Sequence, residues 1–405
     1  MTSLRVCLAL LLSVPALACA WTYSPVITVS ELQQAHGFQH LESSGNRSIA
    51  ISQQHIAVTW EDNHRGTPAV YIAFKAQDAT HFSRALRVSE AAPAYEPAVA
   101  GLADGRFIVV WEANDRIWAR LVSPKHSGPV QALTQQPARE ATVTAAAGQV
   151  WLAWAAKAGR HYHIVATAAS VQGDRLQLSD VKPVDPAPPK QDQLYPTIAI
   201  TRDGTIVGWE DRRYGHTRLF TAVAAKGKWF APLRQLNQLK AKRSMKYGNG
   251  TGAMRVVLAS NGQNQLIASW LDKRDFVEGY DVYAAMSRDG GQRFGRNEKV
   301  EDMLGSNQTQ WHAVSAMDRQ GHAVVAWDDR RDGSPDVWFS WQTSAGWSDD
   351  DSPAPAHGDG SQTHPAMVFD AGGRLHLVFL DQGAGTTAIR YLVATPSASE
   401  FTSQP

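Results

Sequence analysis

Residues 266–274 read LIASWLDKR: an apolar run closing on Trp270, Asp272 two places on, and Arg274 two places further. The same pattern recurs as IAVTWED at Trp60, FIVVWEAND at Trp111, VWLAWAA at Trp154, TIVGWEDRR at Trp209, AVVAWDDRR at Trp327 and LHLVFLD at Phe379. The seven anchors are spaced 51, 43, 55, 61, 57 and 52 residues apart. Around each run lie an Asp/Gly turn, such as Asp104-Gly105 or Asp203-Gly204, and a later short strand, such as Asp281-Val282-Tyr283 or Asp336-Val337-Trp338. Four short strands in a unit of about 50 residues is the pattern of a propeller blade. The sequence therefore predicts an all-β chain folded as a seven-bladed β-propeller. Six blades is the fallback, because the unit at Trp154 is the shortest and lacks the Asp.

The two ends of the repeat predict how the ring closes. The segment 24–32, SPVITVSEL, resembles 85–90, ALRVSE, which ends the first unit, while the last unit runs out after IRYLVA at 389–394. The N-terminal strand is thus expected to supply the missing outer strand of the final blade, which leaves no open sheet edge. The propeller is bounded at 21–394, with a polar, unstructured tail over 395–405.

Residues 1–20 carry one charge, Arg5, then an apolar run and Ala18-Cys19-Ala20, the pattern of a cleaved secretory signal peptide. The expected location is secreted or periplasmic, with lipid attachment at Cys19 the lesser alternative. No stretch has the roughly 18 to 20 apolar residues a membrane helix needs. Both cysteines, Cys7 and Cys19, lie in this leader, so the remaining chain offers no disulfide or thiolate. The 405 residues hold 39 Lys+Arg against 38 Asp+Glu and are 43% hydrophobic. That balance excludes a disordered chain and gives no basic footprint for nucleic acid. No cofactor or metal is expected, and the protein is expected to act as a monomer.

Ser287-Arg288-Asp289-Gly290-Gly291-Gln292-Arg293-Phe294 has the form Ser-x-Asp-x-Gly-x-x-aromatic. It resembles the Asp-box of the sialidase superfamily, and 269–294 as a whole is similar to a sialidase blade. The resemblance implies that the Asp-box hairpin joins strands three and four, with the Trp-x-Asp-x-Arg loops on the opposite, active face. It implies an Asp acid/base and a Tyr nucleophile, with arginines on a substrate carboxylate, because a planar guanidinium matches a carboxylate in two hydrogen bonds. By position in the motif, Arg274 and Asp281 take these roles, with Asp272 beside them. Arg213 and Arg331 are the equivalent loop arginines, and Tyr247 or Tyr280 is the nucleophile candidate. No Arg-Ile-Pro occurs; the corresponding strand starts read Tyr95-Glu96-Pro97, Tyr195-Pro196 and His364-Pro365.

Other residues invite both a functional and a plain reading. The Asp/Arg pairs at 211/213, 272/274 and 329/331, with Asp62, His64 and Arg65 as a variant, can staple their own loops, since side chains two apart in an extended segment point the same way. The loop 240–249 brings Lys242 and Arg243 beside Tyr247 and suits an anionic sugar. Trp311 suits sugar stacking, whereas the repeated tryptophans suit blade packing. His161 and His163 are exposed strand residues or a metal or lyase pair, and Asp349-Asp350-Asp351 is solvated acid. The expected function is to bind or hydrolyse an acidic glycan or glycoconjugate on the face bearing the Asp/Arg loops. A non-catalytic scaffold for a protein partner is the alternative, and a polysaccharide lyase using His163 or His64 is the third reading.

Overall fold

Each repeated apolar run forms the second strand of an antiparallel sheet, for example Phe107–Ala113, Gly204–Tyr214, Leu266–Asp272 and Ala323–Asp329. The computed structural model describes residues 20–33, 37–90, 93–225, 228–238, 252–274, 279–302 and 308–397. Seven sheets of four or five strands follow one another along the chain, built from 39–87, 94–132, 138–183, 193–235, 253–299, 311–347 and 361–396. They are blades 1 to 7 of a seven-bladed β-propeller. The six-bladed fallback is overturned by blade 3, which is complete: Ala138–Ala146, Gln149–Ala158, His161–Gln172 and Arg175–Leu178 pair in order. Its missing Asp shortens no strand.

The runs are apolar throughout, with no alternation, because both faces of a blade are covered by its neighbours. Leu266–Asp272 and Ala323–Asp329 are buried at every residue. The core is accordingly divided into seven clusters, one between each pair of blades. Each repeat aromatic reaches into the preceding blade: Trp209 against Ala153 and Ile164, Trp270 against Ile206 and Leu219, Trp327 against Ile267 and Val282. The first anchor, Trp60, meets Val378 and Tyr391 of blade 7, so this packing runs around the whole ring.

Closure occurs as expected. Ile27–Gln33 pairs antiparallel with Thr386–Pro396, and Trp21–Tyr23 continues the same outer strand. The last strand runs through Pro396, two residues beyond the expected boundary at Ala394, because Trp21 and Thr22 give Pro396 and Thr395 partners. Trp21 is 1% exposed and meets Phe339 and Trp341 edge-on at 5.6 and 5.7 Å. Truncating such a ring leaves a cavity that the ends of two blades cannot fill. Trp21→Ala is expected to cost about 3 to 5 kcal/mol, read as a lower urea midpoint; an unchanged midpoint would mean that closure does not depend on this anchor. Among the described residues no helix is long and apolar enough to cross a membrane.

Candidate active site at the mouth of the central channel

The repeat motif closes on itself before it can offer anything to a ligand. Asp211, Asp272 and Asp329 accept the indole N–H of Trp209, Trp270 and Trp327 at 3.2, 2.9 and 3.0 Å. The same carboxylates accept the backbone N–H two residues on, at Arg213, Arg274 and Arg331, and then their guanidinium groups. Each guanidinium lies over the aromatic ring of the third strand that faces the Trp: Phe220 at 4.5 Å, Tyr283 at 4.0 Å and Trp338 at 4.1 Å. Arg213 also pairs with Asp185, and Arg331 with Asp350. Asp62 and His64 make the same clasp in blade 1. Removing one carboxylate would strand a buried indole N–H and a poorly exposed charge. Asp329→Ala is therefore expected to destabilise by about 3 kcal/mol, measured by chemical denaturation; an unaltered midpoint would refute the clasp.

What the motif does present to the axis is a bulge. Opposite each repeat aromatic the innermost strand carries one extra residue, between Tyr95 and Ala98, Arg139 and Thr142, Leu194 and Thr197, Met254 and Val257, Trp311 and Val314, and Thr363 and Ala366. The first bulge residue has positive φ in all six: Glu96 (47°), Glu140 (57°), Tyr195 (50°), Arg255 (57°), His312 (50°) and His364 (54°). Non-glycine residues hold this conformation only where their surroundings impose it, and such strain gathers at functional sites. Proline follows at positions 97, 196 and 365, where a bulge has an N–H to spare.

In four of the six, the residue after the preceding blade's Trp holds it. Its side chain points toward the next blade and accepts the N–H of the bulge residue there: Glu61 from Glu96 at 3.5 Å, Glu112 from Glu140, Glu210 from Arg255 at 2.8 Å and Asp328 from His364 at 3.0 Å. Blade 3 has Ala155 in that place, and Glu140 itself accepts the Tyr195 N–H at 2.6 Å; blade 5 has Leu271, which offers no acceptor to the His312 bulge. Blade 1 departs from the scheme. Between His40 and Ile49 it inserts 41–48 opposite Thr59 and Trp60, and this insertion crosses the axis. Ser44 donates to Pro196 O, Asn46 to Ala313 O and Arg47 to Ile198 O. It caps a channel cavity of about 530 Å³ that opens on the other face, and it lifts Glu42 into the cluster above.

All seven blades thus contribute to one cluster at the end of the propeller that also bears the Asp/Arg loops. Arg255 of blade 5 reaches Glu42 of blade 1 at 2.7 Å and lies 3.6 Å from the centre of the Tyr195 ring. His364 stacks on His312 at 3.6 Å, and His40 stands edge-on to it at 5.3 Å. The carboxyls divide into two kinds. Glu42 is held down to about 2 by its hydrogen bond to His40, with Arg255 adding to it. Glu96 is pushed up to about 7 by burial and by the charges of Glu140 and Glu42. Burial likewise raises Glu112 to about 8 and Glu140 and Glu210 to about 7. A protonated acid beside an ionised carboxylate is the arrangement that general acid–base chemistry needs near neutral pH. Two aromatic side chains flank the bulges: Tyr95 precedes Glu96 and is 40% exposed, and Trp311 precedes His312 and is 41% exposed.

Among the described residues, the structure sets the sequence candidates on the second and third strands and the loops joining them, further from the axis, apart from Trp311 and Tyr280. Those two rings meet at 5.6 Å. Asp272 is fully buried in its clasp, and Asp281 is 1% exposed and 3.1 Å from Lys299. Arg213, Arg274 and Arg331 are bound in three separate loops. Tyr247, Lys242 and Arg243 lie outside the described residues, as do the leader 1–19 and the tail 398–405. His163 meets the Pro189 carbonyl at 3.0 Å and His161 stands 3.5 Å from Asp192, while Asp350 serves Arg331. In the Asp-box, Ser287 accepts the Gly291 N–H and Asp289 the Arg293 N–H, both at 2.9 Å, within the turn between the third and fourth strands. The sequence showed Glu96, Tyr195 and His364 only as strand starts lacking the family's arginine, and gave no functional role to His40, Glu42, Glu61, Glu112, Glu140, Glu210, Arg255 or His312. Two signals pointed to some of them: the acid directly after the Trp, and the residue before a strand-opening Pro.

No protein-family model matches the sequence, and no curated protein matches it. Solved structures do match in fold. An ulvan lyase of polysaccharide lyase family PL25, bound to a GlcA(1-4)Rha3S repeat, matches with a TM-score of 0.56 at 11% identity, over 86% of this chain and 92% of the lyase. The β-propeller domain of Myceliophteria thermophila Cps50 (Swd1) matches with a TM-score of 0.51 at 9% identity, over 90% of this chain and 99% of the domain. The α-L-arabinofuranosidase Arb93A of Fusarium graminearum gives 0.47 at 12% identity, over 76% and 93%. The chain is a seven-bladed β-propeller. At these identities the likeness extends to the fold, and function has to be argued from the site.

Proposed function

We propose that this protein binds a glycan over the central cluster and cleaves a glycosidic bond there, with Glu96 as the proton donor. One observation carries the reading: Glu96 is a half-buried carboxyl raised to about 7, displayed on a bulge at the axis beside Glu42, which stays ionised. Departure of a sugar oxygen needs such an acid, and a carboxyl in its ordinary range would already have lost its proton. Trp311 and Tyr95 offer ring faces for sugars, and Arg255 brings a guanidinium to the same place, the donor that a sugar carboxylate favours. The proposal moves the chemistry from the Asp/Arg loops to the ring they surround, keeps the acidic glycan as substrate class, and places the protein outside the cytoplasm on the strength of the leader-like residues 1–20. Elimination is a second reading, favoured by the Arg255–Tyr195 stack, in which the cation would meet a uronate carboxylate and the ionised Glu42 would take the neighbouring proton. The Tyr195 hydroxyl, kept protonated by burial, would give its proton to the departing sugar oxygen.

Purified 21–405, incubated with uronic-acid polysaccharides and sialylated glycoconjugates, is expected to release soluble saccharides. Products carrying added water identify hydrolysis, and unsaturated products identify elimination. Release of nothing from any of them would overturn the proposal in favour of a scaffold that binds a protein.

A further inference from the structure

A part of the central cluster is suited to a different kind of ligand. His40, Glu42 and His364 each bring one donor atom to within 4.8 Å of the others, and all three are half-buried. They come from three separate places, the first strand of blade 1, the insertion that follows it, and the bulge of blade 7, so their meeting is a product of ring closure. Two of them, Glu42 and His364, are also oriented by a contact from outside the trio. Arg255 engages Oε1 of Glu42 at 2.7 Å, while Oε2 faces Nε2 of His40 at 3.5 Å. Nδ1 of His364 shares a hydrogen bond with Thr363 Oγ1 at 3.0 Å, and the His364 backbone N–H is held by Asp328. The arrangement at His364, with one ring nitrogen engaged and the other left to ligate, is characteristic of metal-binding imidazoles. His312 covers one face of His364 with its own Nδ1 committed to Asp328 at 2.6 Å, and so packs the site without entering it.

We propose that His40, Glu42 and His364 form a site for one first-row divalent metal ion, of which zinc is the best fit. Two imidazole nitrogens and a carboxylate suit zinc and its neighbours, whereas calcium and magnesium take oxygen-only shells. Three protein ligands leave a coordination position for an oxygen of a bound ligand, the arrangement of catalytic and substrate-binding sites, in contrast to closed structural ones. The inference stands apart from the glycan reading, because it concerns the free protein.

The test uses 21–405 stripped with chelator, then titrated with zinc chloride or with cobalt chloride as a spectroscopic substitute, in the absence of any glycan. One equivalent of zinc is expected to bind, and cobalt is expected to give visible ligand-field absorption from a site containing imidazole. His364→Ala and His40→Gln should each weaken binding at least about 100-fold, and Thr363→Val, which only releases the His364 ring, by about 10-fold or more. His126→Ala, on an exposed histidine paired with Asp174 far out in blade 2, should bind like wild type. Circular dichroism of each stripped variant separates lost ligation from lost folding; if His364→Ala fails to fold, His40→Gln, at a partly exposed position, carries the test. The proposal is overturned if wild type takes up no equivalent of zinc, or if folded His40→Gln and His364→Ala bind as tightly as His126→Ala. A protein that binds zinc but cleaves no glycan would leave this site standing and remove only the proposed reaction.

Discussion

Glu96→Gln is expected to lower turnover about 10²- to 10⁴-fold on any glycan that the wild-type protein cleaves. The amide has the size of the acid, and its backbone N–H still meets Glu61, so the bulge and the cluster around it persist. It has no proton to give to a departing sugar oxygen. Binding, measured on the same glycan, should change much less than the rate constant, because the loss falls on the transition state. The wild-type rate should also fall as pH rises through about 7, the value to which burial and the neighbouring charges of Glu140 and Glu42 push Glu96, and the residual rate of the Gln variant should lack that limb. Arg274→Gln is the informative comparison, since Arg274 is engaged by Asp272 and stacked on Tyr283 away from the axis. Full activity in Glu96→Gln together with inactivity in folded Arg274→Gln would return the chemistry to the Asp/Arg loops.

Stability is expected to fall by about 3 kcal/mol between pH 6.5 and 8. The sign follows from which state binds more protons. Glu96, Glu140 and Glu210 at about 7 and Glu112 at about 8 keep protons in the folded protein that they lose near 4.5 when unfolded. Their contribution is present in full below the unfolded value and is lost as pH rises through the folded values. A carboxyl at about 7 loses roughly 0.8 kcal/mol over this window and one at about 8 roughly 1.6, and the four are neighbours, so the losses do not simply add. Burial of His364 acts with the opposite sign: it holds that imidazole down to about 3, while the unfolded ring, half protonated at pH 6.5, loses the rest of its proton across the window and offsets roughly 0.4 kcal/mol of the fall. Urea midpoints at pH 6.5, 7, 7.5 and 8 measure the slope, and Glu112→Gln should flatten it and raise stability at pH 8. A midpoint that stays level or climbs across the window would show that these carboxyls are ionised, and would weaken the case for Glu96 as an acid.

Both expectations concern residues to which sequence reasoning assigned no catalytic role, and the reason is physical. The Trp-x-Asp-x-Arg clasp is local: its hydrogen bonds span two residues, so its parts must stand at fixed spacing and repeat visibly. The same spacing gives the blade count, and the two incomplete ends predict the closure that Trp21 and Ile27–Gln33 complete. The central cluster obeys no such spacing. Glu96, Tyr195, Arg255 and His364 differ in type from blade to blade, and each looks in sequence like an ordinary residue at the start of a strand. What they share is a place opposite the repeat aromatic, where the bulge turns one side chain toward the axis. The sequence by itself determined the clasps, the blades and their number, because these depend on neighbours along the chain. Which residues meet was decided only by the tertiary structure, because groups hundreds of residues apart, such as Glu42 and Arg255, become neighbours only when seven sheets close a ring around one axis.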